Sequence, residues 1–537
     1  MVGTSALASA QVFDNVISME CGSLGVRSLP SAQAGGAGVA ILGSINATLV
    51  NVAIVNNSGI SFVQQTMIPN ATSAMRSTKN STAQPRQTLP VFGGGLLVSN
   101  RSRVTIGGGV LVSANTASGG GNGGGVLIRG ASKMVGTTPN VGVDVVGNVA
   151  SGGCGGGVAV EGGSVFAGGY VAANTVHDAA GTAVGRAVGG GGLCVYGGSS
   201  AMVSGVTIHN NSAQDGGGIF VGAVTGLTAH SLVVTNNRAC YGAGMHLLEG
   251  SQAVSTLGVS RVVGNSALGC TFITDELPPL NNSPGGYGGG ILCNGCAVVD
   301  SWDIFNNTGT TGAGVALGVW STRTGASVVV SPRLRRCHAI GNEATESGGG
   351  LASFSPMHPS VSSSSFVANT AAKSGGGWFI SNCTVSITDE AVHVSHSTAP
   401  EGGGVFLQGG NISNPHNMSQ HVLEIHQCHA GAGGGLFMLV SGCHTNTVNA
   451  VRVEKCSAID GGGIAVIGSK LQQRSDARAR ATMSSIMIVG CTALGSGGGL
   501  HAATVDLRVT NTSIVNATAT VGAGLCAQAS VLDAEHV

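Results

Sequence analysis

Charged side chains are scarce in this chain. It carries 23 basic and 23 acidic residues among 537, so charged residues make up only 9% of the total. An ordinary globular domain has about a quarter. The net charge is zero, and no basic stripe marks a nucleic-acid interface. We therefore expect no nucleic-acid partner.

Long apolar runs are also missing. No stretch approaches the ~18 consecutive apolar residues of a membrane-spanning helix, so we expect no membrane span in this chain. Aromatic residues make up only 4%, fewer than a conventional core would use. Collagen is excluded because proline numbers 13 and glycine has no strict three-residue period. With 92 glycines, the chain fits a fold of short apolar strands joined by tight glycine turns.

No targeting segment is recognisable. The first residues, MVGTSALASAQVFDNV, lack the basic start and the apolar stretch of a secretory signal. A glycine motif already occurs at Gly36-Ala37-Gly38, and only a few residues follow Gly522-Ala523-Gly524. Solenoids end in polar caps, and none is evident at the C-terminus. These features predict a fragment whose signal and anchor are not visible.

One short motif recurs throughout the chain. An Asn, Cys or Ser is followed, usually two residues later, by Ala, and then by Gly-x-Gly and an apolar residue. Asn211 leads in this way to Gly218, and Asn369 leads to Gly377. A fixed motif that returns every few tens of residues indicates a solenoid.

The segments between the motifs have the pattern of strands. Val206 and Ile208 alternate with polar residues before one motif, and Ile219 begins an apolar segment after its glycines. The last glycines at positions 192, 218 and 244, and again at 350, 377 and 404, are 26 or 27 residues apart, which is enough for about three short strands. The sequence therefore predicts an all-β parallel β-helix of roughly fifteen coils of about 26 residues with glycine-rich corners. Such a rod would be about 70 Å long.

The repeated Asn, Cys or Ser is predicted to form an inward ladder. Side-chain amides at one position of every coil can hydrogen-bond along the stack. Cysteines in such a row point in parallel, which disfavours disulfides, so we expect buried free thiols. The predicted ladder comprises Asn211, Asn237, Asn265, Asn307, Asn342, Asn369, Ser397, Cys428, Cys456, Cys491 and Asn516.

The repeat pattern also divides the chain. Residues 1–59 are interpreted as degenerate first coils, and residues 60–92 as a loop or insertion rich in Ser, Thr, Asn and Pro. Residues 93–537 are interpreted as the main β-helix array, truncated at the C-terminus. Insertions after Gly314, Gly404 and Gly463 enter the same side of the repeat, where they are expected to mark a binding face.

These motifs resemble known repeats. The sequence Phe366-Val367-Ala368-Asn369 followed by a glycine triplet and an apolar residue resembles polymorphic outer-membrane-protein repeats, which pair Gly-Gly-Ala-[Ile/Leu/Val] with Phe-x-x-Asn. The array over residues 93–537 is similar to right-handed parallel β-helix proteins of the pectin-lyase-like type, including large glycine-rich surface proteins of protists. Most copies here carry Gly-Gly-Gly or Gly-Ala-Gly instead, with Val-x-x-Asn or Ile-x-x-Cys. The resemblance implies a right-handed helix and a secreted or surface-displayed, adhesin-like protein.

Enzymes occur on the same fold, so catalysis has to be weighed. Glycoside hydrolysis needs two carboxylates across the bond. Only Asp275-Glu276 and Asp389-Glu390 are adjacent acids, and neither has an identifiable partner. The His-Gly and Arg-Ile-Lys signatures of polygalacturonases and the Trp-Ile-Asp-His signature of pectate lyases are missing. We expect no catalytic residue.

Metal ligands and cofactor motifs are equally weak. Histidines gather at His416, His421, His426, His429 and His444, near Cys428 and Cys443. On a strand His426 and Cys428 would share one face and His429 the other, so the set does not converge. Cys293 and Cys296 form a lone CxxC, which favours a local disulfide or free thiols over zinc. We expect no metal and no cofactor.

Thirteen N-x-Ser/Thr sequons occur. Asn210 and Asn306 adjoin the ladder, and we expect both to be packed too tightly for modification. The candidate glycosylation sites lie in predicted loops, namely Asn70, Asn80, Asn411 and Asn417.

A basic insertion carries the densest charge of the chain. We interpret it as a solvated loop, with contact to acidic glycans or phospholipid as the alternative. Its cationic residues are Lys470, Arg474, Arg478 and Arg480.

The leading functional hypothesis is a non-catalytic extracellular or cell-surface protein for adhesion or display. Glycans and surface proteins of a host or neighbouring cell are the expected partners. The alternative is a carbohydrate-active enzyme or glycan-binding module on a pectin-lyase-like β-helix. Trp302, Trp320 and Trp378 are the only tryptophans, so little sugar-stacking surface is expected.

Overall fold

A computed structural model describes most of the chain. The described residues are 4–8, 11–13, 17–19, 38–41, 46–59, 93–118, 121–138, 141–177, 189–198, 200–268, 285–318, 331–388, 390–414, 423–441, 445–469 and 479–537. The predicted loop 60–92 lies outside them. The division of the chain at residues 59 and 92 stays a prediction.

Regular structure in the described residues consists of strands alone. None of these residues forms a helix that could cross a membrane. Each strand pairs in parallel with the equivalent strand of the next coil, as Ile219 does with Met245 and Leu351 with Trp378. The predicted all-β parallel β-helix is therefore confirmed.

Three stacks of strands run the length of the solenoid, and we call them sheets A, B and C. Sheet A contains β1 (Thr4–Ala8), β2 (Gln11–Phe13), β5 (Asn46–Val50), β6 (Ala53–Val55), β9 (Arg103–Ile106), β10 (Val110–Ser113), β13 (Lys133–Gly136), β14 (Val143–Val146), β17 (Val165–Ala172), β20 (Ala201–His209), β22 (Gly226–His230), β23 (Val233–Thr235), β25 (Gln252–Leu257), β26 (Ser260–Val263), β29 (Val298–Asp300), β30 (Trp302–Phe305), β33 (Arg333–Arg335), β34 (His338–Ile340), β37 (Ser360–Ser362), β38 (Ser365–Val367), β41 (Thr384–Ile387), β42 (Val392–Ser395), β45 (Asn411–Ser413), β46 (Leu423–His426), β49 (Thr445–Glu454), β52 (Ala479–Val489), β55 (Val505–Val515) and β57 (Val531–Glu535).

Sheets B and C have shorter strands. Sheet B contains β3 (Ile17–Met19), β4 (Val39–Ile41), β8 (Leu96–Val98), β12 (Val126–Ile128), β16 (Val158–Glu161), β19 (Leu193–Tyr196), β21 (Ile219–Val221), β24 (Met245–Leu247), β28 (Ile291–Asn294), β32 (Val315–Gly318), β36 (Leu351–Phe354), β40 (Trp378–Ser381), β44 (Val405–Gln408), β48 (Leu436–Val440), β51 (Ile464–Gly468), β54 (Leu500–Ala503) and β56 (Leu525–Gln528). Sheet C, in two segments, contains β7 (Ser58–Gly59), β11 (Thr116–Ala117), β15 (Val149–Ser151), β18 (Thr175–His177), β27 (Ser266–Ala267), β31 (Thr308–Thr311), β35 (Glu343–Ser347), β39 (Thr370–Ala371), β43 (Thr398–Glu401), β47 (His429–Ala432), β50 (Ser457–Ala458) and β53 (Thr492–Ala493).

One coil shows how the sequence pattern becomes structure. In β20 the inward Val203, Val206 and Ile208 are at most 1% exposed, and they alternate with outward residues. The chain then turns at Asn210 and Asn211, passes sheet C, and reaches the glycine corner before β21. Side chains from the three sheets fill the interior, including Trp302 and Trp378 at 0% exposure. Both tryptophans are therefore core residues, whereas Trp320 lies outside the described residues.

The glycine corner is required by backbone geometry. Gly216 has φ of +60°, a left-handed conformation that is costly for most residues. A Cβ on Gly217 would lie 2.3 Å from the carbonyl oxygen of Arg238, and one on Gly218 would lie 2.6 Å from that of Gly244. Neighbouring coils therefore stack closely only because these positions lack side chains.

The inner members of the asparagine ladder satisfy all the polar groups of their buried amides, whereas Oδ1 of Asn57, in the first ladder coil that the structure describes, accepts no hydrogen bond. The backbone N–H and the Nδ2 of Asn211 both donate to Oδ1 of Asn237, at 2.9 and 3.0 Å. Nδ2 of Asn237 donates to Oδ1 of Asn265 at 2.9 Å and to the carbonyl of Ile208 at 3.1 Å. Each amide thus uses both N–H donors of its Nδ2 and both lone pairs of its Oδ1. Asn237 and Asn265 are 0% exposed, so these bonds replace those that water would make.

The ladder extends further toward the N-terminus than the sequence prediction. Asn57, Asn115, Asn148 and Asn174 continue the same bonds up to Asn211. Asn115-Thr116-Ala117 carries the motif, but its glycines follow at a longer distance than in the copies used for the prediction. The strict spacing of the predicted motif therefore missed Asn115, whereas Asn57 and Asn174 also lack the alanine of the motif.

The C-terminal part of the ladder is built differently. The backbone N–H of Asn369 donates to Oγ of Ser397 at 3.4 Å, a longer bond than those between asparagines. Cys428, Cys456 and Cys491 follow as free, buried thiols. The thiol of Cys428 lies 3.9 Å from the carbonyl oxygen of Val394. An asparagine amide in the ladder donates a shorter and stronger bond to the equivalent carbonyl, as Asn369 does to Ala339 at 2.9 Å.

Asn516 does not occupy the ladder position predicted for it. Its φ is +55°, and its side chain is exposed, as is that of Asn210 at φ +53°. The following Thr518 donates its backbone N–H to the carbonyl of Cys491, as Thr492 does to Cys456. Ala517 therefore stands at the ladder position in the last coil. The prediction was one residue early because the glycine spacing varies by one.

The ladder predicts that replacing a ladder asparagine lowers stability far more than replacing the asparagine directly before it. Asn237→Ala removes a buried amide and leaves the bonding groups of Asn211 and Asn265 unsatisfied, so we expect a loss of about 3 kcal/mol in stability. Asn236→Gly removes an exposed amide at φ +55°, which glycine tolerates, so we expect little change. Urea denaturation followed by circular dichroism measures both. Equal midpoints for the two variants would contradict the ladder's role.

Burial also predicts low reactivity for the inward cysteines. Desolvation raises the pKa of Cys337 to about 12 and that of Cys383 to about 11. Desolvation likewise raises the pKa of Cys456 well above its usual value. At pH 8 these thiols should resist iodoacetamide in the folded chain, whereas the partly exposed Cys526 should be alkylated. Peptide mapping compares the sites, and fast labelling of Cys456 would contradict the prediction.

Candidate functional site

Sheet A carries a row of left-handed residues where its strands bend. Most coils use a residue with a side chain here, such as Asn51 or Ser231. The coils around β10, β14, β17 and β20 use glycine instead, with φ of +61° at Gly109, +78° at Gly168 and +59° at Gly205. Because several neighbouring coils lack side chains at the bend, the outer face of sheet A is hollow there.

This hollow is a cleft of about 470 Å³, within the usual range for small-molecule sites. Its glycine walls include Gly109, Gly142, Gly169 and Gly205, and Val141 adds an apolar side. Its functional groups come from Asp144, Tyr170 and Thr207. We call it the sheet A cleft.

The functional side chains of the sheet A cleft stand in one row. Asp144 pairs with Tyr170, and Tyr170 pairs with Thr207, on three successive coils about 4.8 Å apart. Tyr170 is 39% exposed, and its ring centroid lies 6.2 Å from that of His209. The cleft thus offers an aromatic face, a carboxylate acceptor and a hydroxyl.

This arrangement suits binding better than catalysis. An aromatic face packs on apolar ring surfaces, and a carboxylate and a hydroxyl accept or donate hydrogen bonds at the edge of a ligand. Asp144 is the sole carboxylate among the described residues that line the cleft. Two carboxylates would be needed for the usual glycosidase mechanisms.

The sequence prediction missed the sheet A cleft. Its glycines lie outside the recurrent motif, and the four coils that form it are separated by long stretches of sequence. Isolated glycines in strand patterns, such as Gly169 and Gly205, were the available signal. The insertions predicted to form a binding face lie largely outside the described residues.

Sheet B carries a second exceptional surface, a column of aromatic rings. Phe379, Phe406 and Phe437 stack with centroids 5.3 Å apart and planes 7° from parallel. Phe354 extends the column at 5.7 Å from Phe379. Phe406 and Phe437 are only 3% exposed, so the column packs coils together and offers little free surface.

Of the two adjacent carboxylate pairs, the structure describes a single member, Glu390. Asp275, Glu276 and Asp389 lie outside the described residues. Glu390 accepts a 2.6 Å hydrogen bond from Oγ of Ser363 on the outside of the solenoid. No second acid is paired with it among the residues that the structure describes.

The two histidines of the cluster that the structure describes, His426 and His429, lie on different sheets. His426 on sheet A lies 3.7 Å from Glu424 and 3.6 Å from Glu454, whereas Cys428 points into the core. His429 contacts Ser457 on sheet C. No group of three metal-ligating side chains converges within the described residues. His416, His421, His444 and Cys443 lie outside these residues.

Glu454 is the most strongly paired acid of this surface. Desolvation alone would raise its pKa, but hydrogen bonds from Arg452 at 2.9 Å and Lys455 at 3.3 Å outweigh it. The pKa of Glu454 therefore lies below its usual value. These contacts are ion pairs on the outer face of the sheet and show no sign of a reacting group.

A buried acid–histidine pair lies beside sheet B. Nδ1 of His246 is 3.2 Å from Oδ1 of Asp215, and the two side chains are 6% and 15% exposed. The ring of His246 meets Phe220 edge-on at 5.6 Å. The two residues lie on neighbouring coils, so no local sequence pattern predicts their pairing.

The structure changes the ranking of the glycosylation candidates. Asn411 is half-buried in β45, where Oδ1 accepts from the backbone N–H of Thr447 at 2.8 Å and Nδ2 donates to Thr384 at 3.3 Å. Asn210 and Asn306, which were expected to be packed too tightly, are exposed. Asn70, Asn80 and Asn417 lie outside the described residues.

The remaining cysteines include disulfides. Cys154 joins Cys194 on the next coil, and Cys293 joins Cys296, one of the two states predicted for the CxxC. Of the basic insertion, Lys470, Arg474 and Arg478 lie outside the described residues, whereas Arg480 is exposed on β52.

No known protein family and no curated protein matches this chain in sequence.

The aromatic column generates a prediction about its role. Phe406→Ala should lower stability by about 3 kcal/mol, because it removes a ring stacked between Phe379 and Phe437. Phe406→Leu retains much of the buried area and should cost less than half as much. Denaturation midpoints provide the comparison. An unchanged midpoint for Phe406→Ala would instead indicate a ring kept for a ligand.

Proposed function

We propose that this chain is a non-catalytic extracellular or cell-surface protein of the adhesin type. The observation that carries this proposal is the sheet A cleft, which offers binding groups without a pair of carboxylates. Its ligands are glycans or surface proteins of a host or neighbouring cell.

The disulfides support the extracellular location. Cys154–Cys194 and Cys293–Cys296 are both within disulfide distance in the folded chain. Disulfides persist mainly in secreted and surface proteins, because the cytosol keeps thiols reduced. A location outside the cytosol therefore suits this chain best.

A glycan-binding module is the second candidate function. Tyr170 supplies an aromatic face next to Asp144 and Thr207, a combination that suits the apolar face and the hydroxyl groups of a sugar ring. A polysaccharide lyase or hydrolase on this fold would need further acidic or basic groups at the cleft. The cleft therefore favours binding over cleavage.

A glycan array with the purified chain tests both candidates, and polysaccharide-cleavage assays are run in parallel. Glycan binding without cleavage supports a glycan-binding adhesin. Cleavage of any polysaccharide contradicts the non-catalytic proposal. If no glycan binds, protein partners are tested with intact cells, and failure to bind either class contradicts the adhesin proposal.

Two variants assign binding to the sheet A cleft. Tyr170→Ala removes the aromatic face and should weaken glycan binding about tenfold, equivalent to about 1.4 kcal/mol. Met202→Ala is the matched control, because Met202 is also 39% exposed on sheet A but does not line the cleft. Calorimetry or a biosensor measures both affinities. Equal affinities for the two variants would place the binding site elsewhere.

A further inference from the structure

One edge of the solenoid is formed by the residue directly before each ladder position. This residue has a left-handed backbone in coil after coil, with φ of +57° at Asn56, +53° at Asn210, +50° at Asn306 and +55° at Asn516. We call this row the edge column. Asparagine recurs in it because asparagine tolerates the left-handed conformation better than other residues with side chains.

The edge column separates two asparagines with opposite environments. Asn211 and Asn307 are at most 1% exposed and bonded within the ladder. Asn210 and Asn306, one residue earlier, are exposed. No hydrogen bond links the side chain of Asn210, Asn306 or Asn516 to another residue that the structure describes. Their amide nitrogens are therefore accessible.

Each of these exposed asparagines begins a sequon. Asn210-Asn211-Ser212 and Asn306-Asn307-Thr308 place the ladder residue in the middle and a hydroxyl residue at the third position. Asn56-Asn57-Ser58 and Asn516-Ala517-Thr518 have the same form. The middle residue turns inward, so the asparagine on its N-terminal side points outward.

The neighbouring positions of the edge column leave room for a bulky group. Asn306 stands between Gly264 and Gly341, and Asn210 follows Ala173 in the previous coil. A Cβ at Gly341 would lie 2.6 Å from Oδ1 of Asn306, so a larger residue there would displace this amide. Asn306 thus has a glycine on both sides, whereas Asn210 has Ala173 on one side and the exposed Asn236 on the other.

We propose that the edge column is an N-glycan acceptor edge, modified at Asn56, Asn210, Asn306 and Asn516 when the chain enters a eukaryotic secretory pathway. The donor is a lipid-pyrophosphate-linked oligosaccharide. A bond forms between Nδ2 of the asparagine and the anomeric carbon of the sugar. The bond from that carbon to the pyrophosphate oxygen breaks, the lipid pyrophosphate leaves, and Nδ2 loses one proton. This inference rests on the extracellular location in the proposed function.

Asn411 is the internal contrast. It also begins a sequon, but both ends of its amide are bonded within sheet A. A glycan on its Nδ2 would break the contact with Thr384 and separate the amide from the sheet surface. The folded chain therefore accommodates glycans on the edge column and disfavours one at Asn411.

The test uses the full chain produced in eukaryotic cells behind a secretory leader. Peptides are treated with a peptide N-glycosidase in ¹⁸O-water, which labels each formerly glycosylated asparagine as aspartate. We expect occupancy at Asn56, Asn210, Asn306 and Asn516 and little at Asn411. Ser212→Ala, Thr308→Ala and Thr518→Ala should each abolish one glycan, because each removes the hydroxyl that one sequon requires.

A matched gain of site tests the geometry itself. Asn236 belongs to the edge column with φ of +55°, but Arg238 replaces the hydroxyl residue of a sequon. In the double variant Ser212→Ala/Arg238→Thr, the glycan should move from Asn210 to Asn236, one coil along the edge. Unmodified Asn56, Asn210, Asn306 and Asn516 would overturn the proposal, as would occupancy at Asn411 alone.

Failure of the proposed function can be distinguished from failure of this inference. Secreted and retained chains are mapped separately, because glycan transfer precedes export. Occupied edge sites on a chain that binds no ligand support the acceptor edge and contradict the adhesin proposal. A chain that binds ligand but carries no glycan on the edge column supports the adhesin proposal and contradicts the acceptor edge.

Discussion

The stacking of the coils depends on one requirement: the side-chain amide of a buried asparagine needs partners for its two N–H donors and its two oxygen lone pairs. An asparagine inside a stack of coils can meet this need only if the next coil places an identical amide directly above it. The bonds from Asn211 to Asn237 and from Asn237 to Asn265 meet that condition. This requirement fixes the register of the coils from Asn57 to Asn369, because a shift of one residue would bury unsatisfied groups and turn the apolar residues outward.

Other features follow from the ladder. The chain must turn sharply to direct Asn211 inward, and the left-handed Asn210 makes that turn. The glycine corner then lets the next coil approach closely enough for the amides to meet. Because the ladder amides from Asn115 to Asn342 bond to one another inside the solenoid, the outward residues are free to vary. The sheet A cleft and the edge column are two results of that freedom.

The repeat pattern in the sequence was sufficient to predict the fold. Ladder asparagines and glycine corners are local signals, and each coil repeats them. Asn115 and Asn148 were missed because insertions change their distance to the next glycines, and Asn516 was placed one residue early for a related reason. The sheet A cleft could not be predicted, because it depends on missing side chains in four coils. The exposure of Asn210 depends on backbone torsion, which the residue types alone do not determine.

The ladder also gives the rod an uneven mechanical strength along its axis. From Asn57 to Asn369 each coil is tied to the next by paired amide bonds, all donated in the same direction. Beyond the 3.4 Å bond to Ser397, weak thiol contacts of about 3.8 Å replace them at Cys456 and Cys491. Repeat proteins share load only between neighbours. Under tension along the axis, the coils after Ser397 would therefore yield first and act as an extensible segment in front of a stiffer one.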